Sequence, residues 1–221
     1  MKRLFLPDNY IERREPKYFE DSPDSVIIYQ PQVYIDTVSR MQREKRLPML
    51  IDVGCGAAQK LLTQVPPSIK TVGIDHGANI EYLKKHHPDQ FWKDVNLEYI
   101  DYAVLGDEYL TDATVVCADV IEHLKFPERL LDMFVQWIQL VKEIVITTPD
   151  RVLTHGIEHM GPPPNPCHVR EWSILEFQSL LESYKLHPCM SYTQSVNTNP
   201  NKHTIQAVIS LSKIIPFGEP G

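Results

Sequence analysis

The chain has 221 residues, of which 43% are hydrophobic, and its formal net charge at pH 7 is -7. This length and apolar content suit a single domain with one sizeable core, so we expect one domain over residues 1–221. Nucleic-acid binding usually needs a positive footprint, and the acidic composition therefore argues against a nucleic-acid partner. No apolar run approaches the roughly 20 residues of a membrane span, so no membrane partner is expected.

The cysteines and the first residues indicate the compartment. The four cysteines, Cys55, Cys117, Cys167 and Cys189, include no C-x-x-C pair. Their separation argues against a zinc site or a disulfide framework and favours a reducing cytoplasm. The apolar run at the N-terminus is broken at Pro7, too early for a signal peptide. We expect a cytoplasmic protein, and the sequence leaves its oligomeric state open.

Residues 1–47 are predicted to form an N-terminal arm followed by a covering helix. The arm, residues 1–30, is polar and aromatic. Apolar side chains then recur close to helical spacing at Val33, Ile35, Val38 and Met41. This pattern predicts an amphipathic helix from about Gln32 to Arg46 that covers one face of a sheet. The alternative is a lid over a ligand, which would carry Tyr29, Gln30 and Gln32 at its N-terminal end.

Residues 48–212 are predicted to form the core, and residues 213–221 a tail. Apolar runs predict strands at 49–53, 71–75, 91–94, 115–118 and 143–149, alternating with helical patterns. The segments 190–196 and 204–211 predict a closing antiparallel hairpin with a long connection at 197–203. Such alternation predicts an α/β fold with a doubly wound, mostly parallel sheet and a C-terminal antiparallel hairpin.

The segment 150–170 is predicted to be a long loop. Residues 161–166 read Gly-Pro-Pro-Pro-Asn-Pro, which supplies too few N–H donors for a helix or strand. Loops of this length in a compact domain are often functional. The loop contains His155 and His159, which we expect to be solvated, and His168. A helix follows, with Ser173 and Glu176 spaced as a capping box.

A glycine-punctuated turn, Asp52-Val53-Gly54-Cys55-Gly56, follows the first strand. Glycine has no Cβ, so a ligand can lie against the main chain and a positive φ costs little. A dinucleotide fingerprint would need a third glycine where the chain has Gln59, so that interpretation fails. The remaining pattern, D-x-G-x-G, resembles motif I of the class I S-adenosylmethionine-dependent methyltransferases.

Two later stretches strengthen this resemblance. The strand ending at Asp75 is similar to the one that grips ribose hydroxyls, and 118–124 resembles the strand end beneath the methionine moiety. The resemblance implies a seven-stranded Rossmann-like sheet with S-adenosylmethionine at the carboxyl ends of its strands and S-adenosylhomocysteine as product. Asp94 closes the third strand, where the family commonly meets adenine, although a solvated turn aspartate is the alternative. The implied cofactor-binding residues are Asp52, Gly54, Cys55, Gly56, Asp75, His76, Asp94, Val95, Ala118 and Asp119.

Several further stretches resemble one bacterial branch of these enzymes, associated with glycan and secondary-metabolite pathways. They are residues 29–34, 73–79, 118–124, 148–151 and 161–172. The resemblance implies a small-molecule or saccharide acceptor and O-methylation of a hydroxyl. One departure is Ala58, which stands where motif I usually has its third glycine and should give a slightly tighter turn.

Methyl transfer to a hydroxyl requires alignment of the acceptor and removal of its proton. The usual general base near neutral pH is histidine. His168, on the Pro-rich loop, and His123, just past the fourth strand, are the candidates, although His123 could instead pack on Trp92 or Trp172. The predicted catalytic residues are His168, His123 and Asp119, with no metal required.

Two alternatives remain open at this stage. Asp119-x-x-Glu122-His123 with the distal His168 is similar to the metal site of small-RNA terminal-ribose methyltransferases, although Asp119 replaces that family's glutamate. This resemblance implies metal-assisted ribose 2'-O-methylation with Asp119, Glu122, His123 and His168 around a divalent ion. The other alternative is a non-catalytic cofactor-binding regulatory module, against which the intact glycine turn and Asp75 argue.

Overall fold

The computed structural model describes residues 4–22, 25–45, 49–100 and 104–211. The predicted tail, 213–221, lies outside these ranges, and so does Arg46, the predicted end of the covering helix. The described residues form a seven-stranded sheet with an apolar cluster on each face. Among them, no helix is long and apolar enough to cross a bilayer.

The sheet has the strand order β3-β2-β1-β4-β5-β7-β6. The strands are β1 (Met49–Val53), β2 (Lys70–Asp75), β3 (Phe91–Asp94), β4 (Thr114–Ala118), β5 (Glu143–Thr148), β6 (Pro188–Val196) and β7 (Asn199–Ile209). Strands β1 to β5 pair in parallel, and β7 is antiparallel to both β5 and β6. The predicted doubly wound sheet with its C-terminal antiparallel hairpin is confirmed.

Helices connect the strands and cover the sheet. They are α1 (Pro31–Arg43), α2 (Gln59–Gln64), α3 (Gly77–His86), α4 (Asp107–Leu110), α5 (Pro127–Trp137), α6 (Arg151–His155) and α7 (Ile174–Ser183). A 3-10 turn, Ile121–His123, follows β4. The capping box that opens α7 is formed by Ser173 and Glu176 as predicted.

Side chains alternate between the two faces of the central strands. On β1, Ile51 packs in the cluster that contains α5 and α7, whereas Leu50 packs in the cluster that contains α1 and α3. Both faces are therefore dry, which explains why the strand sequences are continuous apolar runs rather than alternating ones. This burial holds the polar strand ends at one rigid edge.

The covering role predicted for the first helix is confirmed, with one correction. Val33, Val38 and Met41 of α1 are buried against the sheet. Ile35 is 40% exposed, and Tyr34 is buried in its place. The apolar periodicity predicted the wrong buried residue here because Tyr34 has a specific buried partner. The Asp52 carboxylate accepts a 2.8 Å hydrogen bond from the Tyr34 hydroxyl.

Two predicted loops are shorter than expected. The long connection predicted at 197–203 is wrong, because β6 ends at Val196 and β7 begins at Asn199. In the segment 150–170, Asp150 caps the short helix α6 by accepting hydrogen bonds from the backbone N–H groups of Val152 and Leu153. An aspartate N-cap satisfies donors that a helix start leaves free, which allows even one turn to form here.

Candidate functional site

A cavity of about 530 Å³ opens at the carboxyl ends of the parallel strands. The glycine turn, Asp75 and Ala118 line one end, while His155, His168 and residues of β7 line the other. Ligands of doubly wound sheets bind at this edge, where the strand order reverses. The reversal here lies between β1 and β4, directly below the cavity.

The glycine turn and the end of β2 form the floor of this cavity. Gly54 and Gly56 have φ values of 76° and 57°. The backbone N–H of Gly56 donates a 2.7 Å hydrogen bond to Oδ2 of Asp75, and the N–H of His76 donates a 2.7 Å bond to Oδ1. Burial raises the pKa of Asp75, and these two hydrogen bonds oppose the rise. The carboxylate is thus fixed by the backbone and faces the cavity.

Four other predicted cofactor residues do not line the cavity. Asp52 and Cys55 are fully buried behind the turn, where burial raises the pKa of Asp52 to about 6. Asp94 lies at the surface with its carboxylate 3.4 Å from Nζ of Lys84. Val95 is likewise outside the lining, and the cofactor roles of all four stay predictions. Past the end of β3, the residues that do line the cavity are Asn96, Leu97 and Glu98.

Asp119 sits at the end of β4 in a left-handed conformation, with φ 54°. Oδ2 of Asp119 accepts a 2.6 Å hydrogen bond from Nε2 of Gln30, and Oδ1 accepts a 3.2 Å bond from the Thr147 hydroxyl. Burial raises the pKa of Asp119, and the hydrogen bond from Gln30 opposes the rise. A non-glycine residue in this region of φ is uncommon and often marks a functional site.

His168 is held by a buried carboxylate. Its Nδ1 lies 2.6 Å from Oε1 of Glu171, and its Nε2 lies 2.9 Å from Nδ2 of Asn165. Because the amide nitrogen can only donate, Nε2 of His168 accepts and Nδ1 carries the proton given to Glu171. His155 binds the other oxygen of Glu171 at 2.9 Å. The expectation that His155 is solvated is therefore wrong, because α6 directs it toward Glu171.

His123 packs edge-on against His168, with ring centroids 4.6 Å apart, and near Phe19, at 5.7 Å. These aromatic neighbours replace the tryptophans suggested from the sequence. Nδ1 of His123 lies 3.1 Å from the Cys167 carbonyl, to which it donates. Burial lowers the pKa of His123 to about 3, and the repulsion that a protonated His168 would exert adds to this shift. His123 is therefore neutral near pH 7 and leaves Nε2 with a free lone pair.

Glu122, His123 and His168 bring their ligand atoms within 4.8 Å of one another. Glu122 is fully buried, and its Oε2 accepts a 3.0 Å hydrogen bond from the Thr148 hydroxyl. Its Oε1 is buried and has no hydrogen-bond partner among the residues that the structure describes, and burial raises the pKa of Glu122 well above its usual range. Three of the four residues of the metal alternative thus converge, whereas the Asp119 carboxylate is held by Gln30.

The N-terminal arm contributes residues to the cavity lining, and the sequence did not indicate which ones. Tyr18, Phe19 and Asp21 all line the cavity. The Tyr18 hydroxyl donates a 2.8 Å hydrogen bond to the His76 carbonyl. The only signal in the sequence was the aromatic content of a polar segment, which says nothing about where the arm lies.

The predicted lid residues divide between two roles. Tyr29 lines the cavity and pairs with Val196 of β6 through a backbone bridge. Gln30 reaches Asp119, as described above, but Gln32 turns along its own helix and donates to Asp36 at 2.8 Å. The entry to α1 is therefore part of the site, and the helix itself is a cover for the sheet.

Comparisons with known proteins identify the fold. No family model matches the chain, and no curated protein matches it. Among solved structures, a S-adenosylmethionine-dependent methyltransferase from Clostridium acetobutylicum ATCC 824 is 10% identical, with 83% of this chain and 92% of that chain covered and a TM-score of 0.59. The methyltransferase domain of bacterial CtHen1 is 20% identical, with 82% and 97% covered and a TM-score of 0.57.

Magnesium protoporphyrin IX methyltransferase from Synechocystis PCC 6803, solved with bound SAH, is 12% identical, with 81% of this chain and 83% of that chain covered and a TM-score of 0.55. At these identities, the likeness establishes the fold of this chain. It is the α/β fold shared by these methyltransferases.

Proposed function

We propose that the protein is an S-adenosylmethionine-dependent methyltransferase that methylates a hydroxyl of a small molecule or saccharide. The observation that carries the proposal is the Asp75 carboxylate, fixed by the Gly56 N–H at the floor of a cavity above the strand ends. An acidic residue at the end of the second strand of such a fold is suited to bind ribose hydroxyls. The solved relatives with SAH or SAM bound support this choice of cofactor.

The residues around the acceptor end supply a base. S-adenosylmethionine, when bound, supplies an activated methyl group beside a positive sulfur. Nε2 of His168 accepts a hydrogen bond from Asn165. To act as the base it exchanges this bond for one from the acceptor hydroxyl and takes the hydroxyl proton, while Glu171 holds Nδ1–H and fixes the ring. His123 is the weaker base of the two, because its pKa of about 3 disfavours protonation.

The lining of the acceptor end favours a polar acceptor. It includes the hydroxyl-bearing residues Tyr29, Thr154 and Ser195 and the basic residues Lys202 and His203. Hydroxyl-rich molecules such as saccharides offer both donors and acceptors to such a surface. The resemblance to the glycan-associated branch points the same way.

Asp75→Ala is expected to weaken binding of S-adenosylhomocysteine about 5- to 150-fold, because two ribose hydroxyls lose their acceptor. Titration calorimetry on wild type and variant measures this. Asp89→Ala, at an exposed aspartate outside the cavity lining, is the matched control and should bind as wild type does. A wild-type protein that fails to bind the ligand would contradict the proposed function, and equal affinities would contradict the role of Asp75.

A second candidate function is metal-assisted ribose 2'-O-methylation of small RNA. It is favoured by the convergence of Glu122, His123 and His168 and by the likeness to the CtHen1 methyltransferase domain. The residues fit a divalent ion. Within the described part of the chain, the buried Oε1 of Glu122 has no hydrogen-bond partner, and His123 directs its other ring nitrogen to a carbonyl, as metal-ligating histidines do. Mixed imidazole and carboxylate donors suit Mn²⁺ or Zn²⁺, and the ion would activate ribose hydroxyls.

If the trio binds a metal, Mn²⁺ should raise the melting temperature of the wild type because it binds the folded state. Glu122→Gln should abolish this rise, whereas Glu81→Gln, an exposed control on α3, should retain it. Methylation of a short RNA carrying a free terminal ribose should then be lost with chelator and restored by Mn²⁺. If Mn²⁺ leaves the melting temperature of the wild type unchanged, the metal site is contradicted.

A further inference from the structure

We propose that Asp21 of the N-terminal arm binds the α-ammonium group of S-adenosylmethionine, so that the arm is part of the cofactor site. This inference rests on the proposed function. It adds a residue far from the glycine turn in sequence, and it assigns the arm a chemical role rather than that of a passive cover.

The Asp21 carboxylate lies directly on the glycine turn. Its Oδ2 accepts a 3.1 Å hydrogen bond from the backbone N–H of Ala57. A Cβ added at Gly56 would come within 2.6 Å of the same oxygen, so the glycine allows this close approach. Asp21 also lines the cavity, and within the described residues its Oδ1 has no hydrogen-bond partner. One oxygen is therefore anchored while the other remains available to a ligand.

Asn79 of α3 connects the arm to Asp75. Its Oδ1 accepts a 3.1 Å hydrogen bond from the backbone N–H of Asp21, and its Nδ2 donates to the Phe19 carbonyl at 3.4 Å. The same Nδ2 lies 3.4 Å from Oδ1 of Asp75. Because Asn79 is only 4% exposed, this junction is held within the fold. The two carboxylates are thus fixed relative to each other, as a preorganised site for one ligand requires.

The charges at this end of the cavity match the charges of the cofactor. The lining as a whole contains five carboxylates and four ammonium groups. Those that act electrostatically on the Asp52 carboxyl behind the glycine turn are Asp21, Asp75 and Lys60, and Asp119 follows the neighbouring strand β4. S-adenosylmethionine carries a ribose diol, a sulfonium, an α-ammonium and an α-carboxylate.

Each of these cofactor groups finds a partner in the lining. Asp75 suits the diol, Lys60 suits the α-carboxylate, and Asp119, just past the end of β4, would lie near the sulfonium if the cofactor binds as the family resemblance implies. The α-ammonium is then left for Asp21, and a charge-assisted hydrogen bond of this kind is stronger than a neutral one.

The experiment compares two ligands by titration calorimetry on wild type and Asp21→Asn. The ligands are S-adenosylhomocysteine and 5'-methylthioadenosine, which keeps the adenine and ribose but lacks the amino-acid end. Asp21→Asn preserves size and the contact with Ala57 but removes the charge. We expect it to weaken S-adenosylhomocysteine about 10- to 100-fold and to leave 5'-methylthioadenosine within about twofold of wild type. Glu20→Gln, the neighbouring exposed carboxylate of the same arm, is the matched control and should bind both ligands as wild type does.

The outcomes separate this inference from the proposed function. Equal losses for both ligands would show that Asp21 only positions the arm, and unchanged affinity for both would show that it takes no part. Either result overturns the inference while leaving the cofactor assignment intact. A wild-type protein that binds neither ligand would instead contradict the proposed function, and this inference with it.

Discussion

Replacing His168 with alanine is expected to slow methyl transfer about 100- to 10,000-fold, because a positioned general base contributes this much to such a step. The affinity for S-adenosylhomocysteine should stay within about twofold, since the ring lies at the acceptor end of the cavity. The loss should appear in single-turnover rates, which isolate the chemical step from binding and product release.

The control for this variant is His187→Ala, at an exposed histidine outside the cavity lining, which should turn over normally. Chelator distinguishes the two roles that His168 could have. If the variant loses activity and chelator leaves the wild-type activity unchanged, the result supports His168 as the general base. If the variant loses activity and chelator also abolishes the activity of the wild type, with recovery on addition of Mn²⁺, the result supports His168 as a metal ligand. A His168→Ala protein with normal turnover would contradict both roles and leave His123.

The parts of the site that the sequence predicted are those built from neighbours along the chain. The turn between Gly54 and Gly56 could be identified because the backbone has a positive φ at both positions, which favours glycine. Asp75 followed from its place at the end of an apolar run. The sheet was equally predictable, since buried parallel strands produce continuous apolar sequences.

The parts that the sequence missed depend on contacts between distant segments. Asp21 meets Ala57 across 36 residues, and the backbone N–H of Glu171 donates to the Tyr10 hydroxyl across 161. An extended arm has no periodicity that would show which surface it covers. His155 was misplaced for a similar reason, because the short helix α6 and the backbone bridge between Asp150 and Trp172 bring it to its partner Glu171.

Gly54→Ala is expected to destabilise the protein by about 2–5 kcal/mol. The backbone at this position has φ 76°, which costs an L-residue about 1–2 kcal/mol. In addition, the new methyl group would overlap Cγ2 of Val120, and overpacking of this kind costs about 1–3 kcal/mol. Urea unfolding at neutral pH measures the change in the free energy of unfolding.

Gly156→Ala separates these two causes. Gly156 also has a positive φ, 89°, but a Cβ there would meet nothing within 4 Å. With ψ 160° the Gly156 backbone lies in a region essentially restricted to glycine, so this control should show backbone strain alone, about 1–3 kcal/mol, as an upper bound for the strain at Gly54. The steric part can be recovered separately in Gly54→Ala/Val120→Ala, because shortening Val120 makes room for the methyl group. We expect this double variant to be more stable than the sum of its single changes predicts, by about 1 kcal/mol or more. Strict additivity would show that Val120 does not press on the turn and that Gly54 is required for its φ alone.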